Sequence, residues 1–218
     1  FTQSATTGNY KASYPAGVYL FYAENIMVYG CYFKDIYSSP GYGFVGYAIY
    51  DGDGSCDNID IHDNIIVFKG KGVGYAAIGI IITTAKNAMI HNVKFYIDGG
   101  VSYAIVVDTQ PLASGVNISV NGCYIYNSTN LGWGIFGRMH QFPDNPPSNC
   151  RLDVSDNTII GGAIGVSIYA PWKTSIHGND ISGAQFGVSL NGVEGFPIMF
   201  PSVTDNRIEK IEYNPISS

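Results

Sequence analysis

Charge is scarce in this chain. Asp, Glu, Lys and Arg supply only 13% of its 218 residues, with 11 basic against 17 acidic side chains and a net charge of −6. No basic stripe is visible, which argues against nucleic acid as a partner, since phosphate binding needs one. The same deficit disfavours a strongly anionic polysaccharide unless Lys and Arg cluster locally. No apolar run is long enough to span a bilayer, so membrane insertion is not expected. No signal peptide opens the chain, and it begins at Phe1 rather than Met, as a processed or excised piece would. Apolar residues at helical spacing are missing from every segment of useful length, so helix content should be low. A Gly-x-Ser-x-Gly string, a phosphate-binding loop and a Cys-x-x-Cys pair are all absent.

What the chain does hold is repetition. A nine-residue phrase returns seven times without one spelling: NIMVYGCYF (25–33), NIDIHDNII (58–66), NAMIHNVKF (87–95), NISVNGCYI (117–125), RLDVSDNTI (151–159), KTSIHGNDI (173–181) and FPSVTDNRI (200–208). Alignment puts Val28, Ile61, Ile90, Val120, Val154, Ile176 and Val203 in one column. A second column reads Cys31, Asn64, Val93, Cys123, Asn157, Asn179 and Asn206, and a third reads Phe33, Ile66, Phe95, Ile125, Ile159, Ile181 and Ile208. Repetition at this period predicts a solenoid or array.

A shorter phrase runs between the copies: GVYL (17–20), AIYD (48–51), GIII (79–82), AIVV (104–107), GIFG (134–137), GVSI (165–168) and GVSL (187–190). Each unit thus reads as two short strands of period two, rich in β-branched residues and bounded by Gly, Asn, Asp and Ser. Such strands cannot bury an inward face alone. Stacked on their equivalents in successive coils, they pair above and below around one apolar core. Parallel neighbours joined by crossovers should wind right-handed.

This pattern, from about Ala16 to Ile211, resembles the right-handed parallel β-helix of the pectate-lyase-like superfamily. The expected fold is all-β, a single right-handed parallel β-helix solenoid of about seven coils. One domain spans 1–218: an N-terminal cap or linker at 1–15, coils at 16–211 and a tail at 212–218. At roughly 4.8 Å per strand, seven coils make a rod about 34 Å long. Loops at 34–47, 51–57, 126–133 and 138–150 would decorate its sides. The fold hosts lyases, hydrolases, adhesins and viral fibres, so it does not choose among activities.

The columns assign structural roles. Asn157, Asn179 and Asn206 occupy three consecutive coils, where stacked amides can hydrogen-bond along the axis. Cys31 and Cys123 should be small buried hydrophobes. They lie three coils apart, about 14 Å, too far for a bridge. Cys56 and Cys150 are also three coils apart, and free thiols are expected for all four. Two sequons, Asn117-Ile-Ser and Asn127-Ser-Thr, are possible glycosylation acceptors; Asn117 leads a strand, whereas Asn127 reads as a loop residue and the better candidate. At the ends, FTQSATTGNYKASYP is polar enough to fold over one edge, but EYNPISS carries no amphipathic helix. A solenoid needs its edges covered, so a homo-oligomer, a fibre or an end-to-end assembly is expected.

In the enzymes this chain resembles, the site lies in a groove along the sheet and its flanking loops. Just after the second strand, successive coils offer Asp51 and Asp53, Thr83 and Thr84, Asp108 and Gln110, Arg138 and His140, Tyr169 and Trp172, and Asn191 and Glu194. Placed two coils apart, about 9.6 Å by strand spacing, Asp51 and Asp108 would suit an acid and a base flanking a glycosidic bond. Asp51, Asp53 and Asp108 are therefore the catalytic candidates, and Arg138, His140, Tyr169 and Trp172 the sugar-positioning ones. The competing structural reading makes Asp51 and Asp53 a DGDG turn and pairs Asp108 with Arg138 one coil above. A β-elimination would use Arg138 or Lys173 as base with a carboxylate-bound Ca²⁺. DGDG suggests Ca²⁺ only superficially, because the remaining loop ligands are missing, and no cofactor is expected. His62 and His91 stack on adjacent coils without an obvious third ligand beyond Asp60 or Asp63, so no metal is expected either.

The superfamily's own signatures are missing: no Asp-Asp pair, no Gly-His-Gly and no Asp-Pro-His. Two functions remain open. One is an extracellular, cell-surface or virion-surface β-helix that binds polysaccharide, similar to phage tailspikes, and that, if it cleaves, does so by lyase or hydrolase chemistry. The other is a non-catalytic structural or adhesive subunit of a surface fibre.

Overall fold

A computed structural model describes residues 16–35, 46–52, 56–69, 76–109, 115–139, 150–169, 173–192 and 198–209. These residues form strands and turns and no helix. The first three coils contribute β1 (Ala16–Leu20), β2 (Glu24–Tyr29) and β3 (Tyr32–Lys34); β4 (Gly46–Asp51), β5 (Asp57–His62) and β6 (Ile65–Lys69); and β7 (Ala76–Ile82), β8 (Asn87–His91) and β9 (Lys94–Asp98). The next two give β10 (Val101–Thr109), β11 (Asn117–Asn121) and β12 (Tyr124–Asn127), then β13 (Trp133–Met139), β14 (Arg151–Ser155) and β15 (Thr158–Gly161). The last two give β16 (Ile164–Tyr169), β17 (Lys173–His177) and β18 (Asp180–Ser182), then β19 (Phe186–Asn191), β20 (Met199–Thr204) and β21 (Arg207–Glu209). Every third strand pairs, so three seven-stranded sheets, ordered β1-β4-β7-β10-β13-β16-β19 and likewise from β2 and from β3, wrap one core. All pairings are parallel. The chain is a parallel β-solenoid.

The repeat columns are the register. Val28 pairs with Ile61, Ile61 with Ile90, Ile90 with Val120, Val120 with Val154, Val154 with Ile176 and Ile176 with Val203. The column from Phe33 to Ile208 is in register throughout in the same way.

Each coil has three strands rather than the expected two, because the nine-residue phrase bends in its middle. Its sixth position reads Gly30, Asp63, Asn92, Gly122, Asp156, Gly178 and Asp205, and every one has φ between 53° and 67°. Gly, Asn and Asp are the residues that enter this left-handed region at least cost. A single αL residue turns the chain from one sheet into the next, and the following column faces the core at the corner.

That corner is built on amides. Asn64 accepts the Cys31 N–H at 2.9 Å and donates to the Val28 carbonyl at 2.7 Å, one coil back. Asn157 does the same to Cys123 (2.9 Å) and Val120 (3.0 Å), and Asn179 to Asn157 (3.0 Å) and Val154 (3.0 Å). Corner carbonyls such as those of Cys31, Asn64 and Cys123 accept from the next coil's backbone, and the amide serves the N–H groups and carbonyls left over, supplying both acceptor and donor. The small residue opening the shorter phrase makes room for the third column: a Cβ on Gly165 would lie 2.7 Å from Ile181 Cγ2 and from the Gly187 carbonyl oxygen.

All four cysteines are free thiols. Cys123 is buried, and burial pushes its thiol up to about 12. Cys31, in the first coil, is only half-buried, which corrects the expectation for that column member. The sequons also exchange places. Asn127 ends β12, is 4% exposed, and accepts the backbone N–H and hydroxyl of Thr129, whereas Asn117 is exposed at the head of β11. The buried position follows from Asn127 lying in a paired strand, beside Ile97 and Gly161.

Candidate functional site

The carboxylates expected to act together are parted by register. Asp51 pairs with Ile82, and Ile82 with Val107, so Asp51 shares an inward column with core residues. Asp108 lies one position further along, facing the other way. A shift of one residue in a strand reverses the side-chain face. The two-coil stack of Asp51 on Asp108 therefore does not form.

Asp51 is completely buried and serves the next coil's turn. Its carboxylate accepts the backbone N–H groups of Thr83 (3.1 Å), Thr84 (2.8 Å) and Ala85 (2.8 Å) and the Thr84 hydroxyl (2.7 Å). Four donors from one turn satisfy a buried carboxylate well. Asp53 lies outside the described residues, as do His140, Trp172, Gln110 and Glu194.

Asp108, Arg138 and Tyr169 do come together on the outer face of the β1-to-β19 sheet. Asp108 and Arg138 are register partners, and the guanidinium donates to Asp108 Oδ2 at 2.6 Å. The hydrogen bond it donates to Asp108 raises the Arg138 pKa above its ordinary value against the opposing effect of burial. Asp108 is 9% exposed at its side chain and Arg138 46%, so the pair presents its cation to solvent. Arg138 also lies over the Phe136 ring, 5.7 Å from its centroid.

Phe136 is the hub of an aromatic cluster in which the sequence pointed to Tyr169 but not to Tyr103, Trp133 or Phe136. Its ring centroid is 4.7 Å from Trp133, 5.5 Å from Tyr169 and 6.0 Å from Tyr103, and Tyr103 meets Trp133 edge-on at 5.2 Å. These residues belong to a second apolar cluster, outside the core, with Tyr47, Tyr50, Ile78, Ile81 and Val106. Tyr103, Trp133 and Tyr169 are half-buried, leaving part of each ring open. Burial raises the Tyr103 phenol above its ordinary value, with Arg138 acting in the opposite direction. The signal was present in the sequence: Tyr103 and Trp133 stand just before the small residue of the shorter phrase and pair with each other across coils.

The neighbouring β2-to-β20 sheet carries a different outer row. Tyr29, His62 and His91 stack with ring centroids 5.1 and 4.9 Å apart and planes within 15°. His62 is held by Asp63 at 2.8 Å and His91 by Asp60 at 3.0 Å. Among the described residues no three His, Cys, Asp or Glu side chains converge as a metal site would require. The stack is a surface ladder of rings, each imidazole held by its own carboxylate.

No family model, curated protein or solved structure matches this chain. The β-solenoid is established by its own sheets.

Proposed function

We propose that this β-solenoid binds polysaccharide across the outer face of the β1-to-β19 sheet, as an extracellular, cell-surface or virion-surface protein. One observation carries the reading: half-open Tyr103, Trp133 and Tyr169 rings are packed around Phe136 beside the Arg138–Asp108 pair. Aromatic faces with a few fixed polar groups form the usual lining of a small-molecule or sugar subsite. The rings would stack on the apolar faces of pyranose units, while Arg138 donates to ring and hydroxyl oxygens. Because Asp108 neutralises Arg138, the subsite suits a neutral glycan better than a polyuronate, in keeping with the net charge of −6.

Of the three carboxylates read as catalytic, Asp51 is buried in a core column, Asp53 lies outside the described residues, and Asp108 pairs with Arg138 beside the aromatic rings. Cleavage here would therefore use Asp108 rather than an Asp51–Asp108 pair, and Lys173, at the head of β17, belongs to another sheet. Affinity electrophoresis through gels containing neutral and acidic polysaccharides tests the reading, with reducing ends and unsaturated uronates read in parallel. Retardation by a neutral glycan that Trp133→Ala abolishes is the expected result. Equal mobility in every gel would remove the proposal.

A further inference from the structure

The polar groups described around Phe136 are mostly donors. Trp133 carries an indole N–H, which can only donate, and Arg138 carries a guanidinium with several N–H bonds and no acceptor. The Arg138 side chain is 46% exposed and spends one of those bonds on Asp108 Oδ2 at 2.6 Å. The strong acceptor beside it is largely out of reach, since the Asp108 side chain is only 9% exposed. Ser167, the register partner of Phe136, is fully buried. The Tyr103 and Tyr169 phenols complete the set, and burial of Tyr103 favours its protonated, donating form. An amide acceptor, Asn191, comes one coil beyond Tyr169.

A sugar hydroxyl both gives and takes hydrogen bonds, so a plain hydroxyl leaves its own O–H poorly served among donors. An acetyl group fits better, because its carbonyl oxygen only accepts and its methyl is apolar. We propose that this face selects acetylated sugar units, the acetyl carbonyl accepting from Arg138 and the methyl seated against the Trp133, Phe136 and Tyr169 rings. The inference rests on the glycan-binding reading above and names its substrate class. Both halves of the acetyl group find their partners side by side: Arg138 Cζ is 5.7 Å from the Phe136 centroid, and the Trp133 and Tyr169 rings are 4.7 and 5.5 Å from it. A uronate carboxylate also accepts from Arg138, but it brings a charge against half-buried rings, and Asp108 already balances the guanidinium. N-acetyl and O-acetyl sugars share the recognised chemistry.

Calorimetric titration of the 218-residue chain is the test. The ligands are chito- against cello-oligosaccharide of equal length, acetylated against deacetylated xylan oligosaccharide, and oligogalacturonate. The acetylated member of one pair or both should bind about tenfold tighter, the worth of one hydrogen bond from a charged donor. Preference in the first pair alone identifies an acetamido group, in the second alone an ester. Asp108→Asn combined with Arg138→Met removes the guanidinium without stranding its carboxylate. It should bring the acetylated ligand down to the level of the unacetylated one, a loss of selectivity that misfolding cannot imitate. Equal affinity within both pairs, with all binding lost in Trp133→Ala, would overturn the acetyl inference and leave the glycan reading standing. Tightest binding to oligogalacturonate would overturn it as well. A chain that binds none of these ligands would remove the glycan reading and this inference together.

Discussion

The backbone N–H and the side-chain amide of Asn157 both donate to one atom, Oδ1 of Asn179, at 3.0 and 2.9 Å. Asn179 in turn donates to the Val154 and His177 carbonyls. Asn179 Oδ1 is the acceptor that takes the Asn157 backbone N–H at this corner, where the chain leaves one sheet for the next. Asn179→Ala strands buried donors and an acceptor at once. It should cost about 2–4 kcal/mol, at 1–3 kcal/mol per unsatisfied group. Urea unfolding checks it, and a loss near zero would show that water replaces the amide.

Glycine matters at some columns and not at others. A Cβ on Gly165 would meet Ile181 and the Gly187 carbonyl at 2.7 Å, whereas a Cβ on Gly30 would find nothing within 4 Å. Gly165→Ala should cost about 1–3 kcal/mol by overpacking. Gly30 has φ 64°, so Gly30→Ala pays only the left-handed penalty, about 1–2 kcal/mol. Thermal melts of the pair should rank Gly165→Ala as the less stable.

The repeat made the register legible because every coil needs the same inward residues at the same places. Val154 and Ile176 could be paired on the page, and they pair in the structure. The corner was missed because Gly30, Asp63 and Asn92 look unrelated until read as residues tolerant of positive φ. The site was harder for a physical reason. The alignment of AIYD with AIVV already set Asp51 in the column of Val107, one place before Asp108, and alternation from core Ile49 turns it inward. A charged residue in an apolar column nevertheless reads as a site until its turn of partners is seen. Asp51 turned inward to hold Thr83, Thr84 and Ala85, and the aromatic face formed from Tyr103, Trp133 and Phe136 instead.

Buried Cys123 holds its proton far beyond the usual thiol range, up to about 12 against an ordinary 9.0. The native state therefore keeps a proton that the unfolded chain releases above pH 9. Where the folded state binds more protons, stability falls as pH rises. Stability should decline from about pH 9 upward, and native Cys123 should resist disulfide-exchange reagents at pH 8 while half-buried Cys31 reacts first. Labelling followed by peptide mapping reads the order. Equal rates at both thiols would refute it.

The two aspartates should separate by assay. Asp51→Ala removes four hydrogen bonds at a buried turn and should lower stability by about 2–4 kcal/mol. Asp108→Asn keeps the shape and one acceptor oxygen but removes the charge that fixes Arg138, so glycan affinity should fall several-fold with the melting temperature little changed. Denaturant curves and affinity electrophoresis on both variants distinguish them. Identical profiles would mean that Asp108, too, is only structural.

The most direct measurement is on Trp133 itself. The chain has two tryptophans. Their indole N–H signals can be followed in ¹⁵N-labelled protein during titration with the retained polysaccharide, and Trp133→Phe assigns them. The account predicts that the Trp133 signal moves saturably at the same midpoint as retardation. Retardation with an unmoved Trp133 signal would place the sugar elsewhere and contradict it.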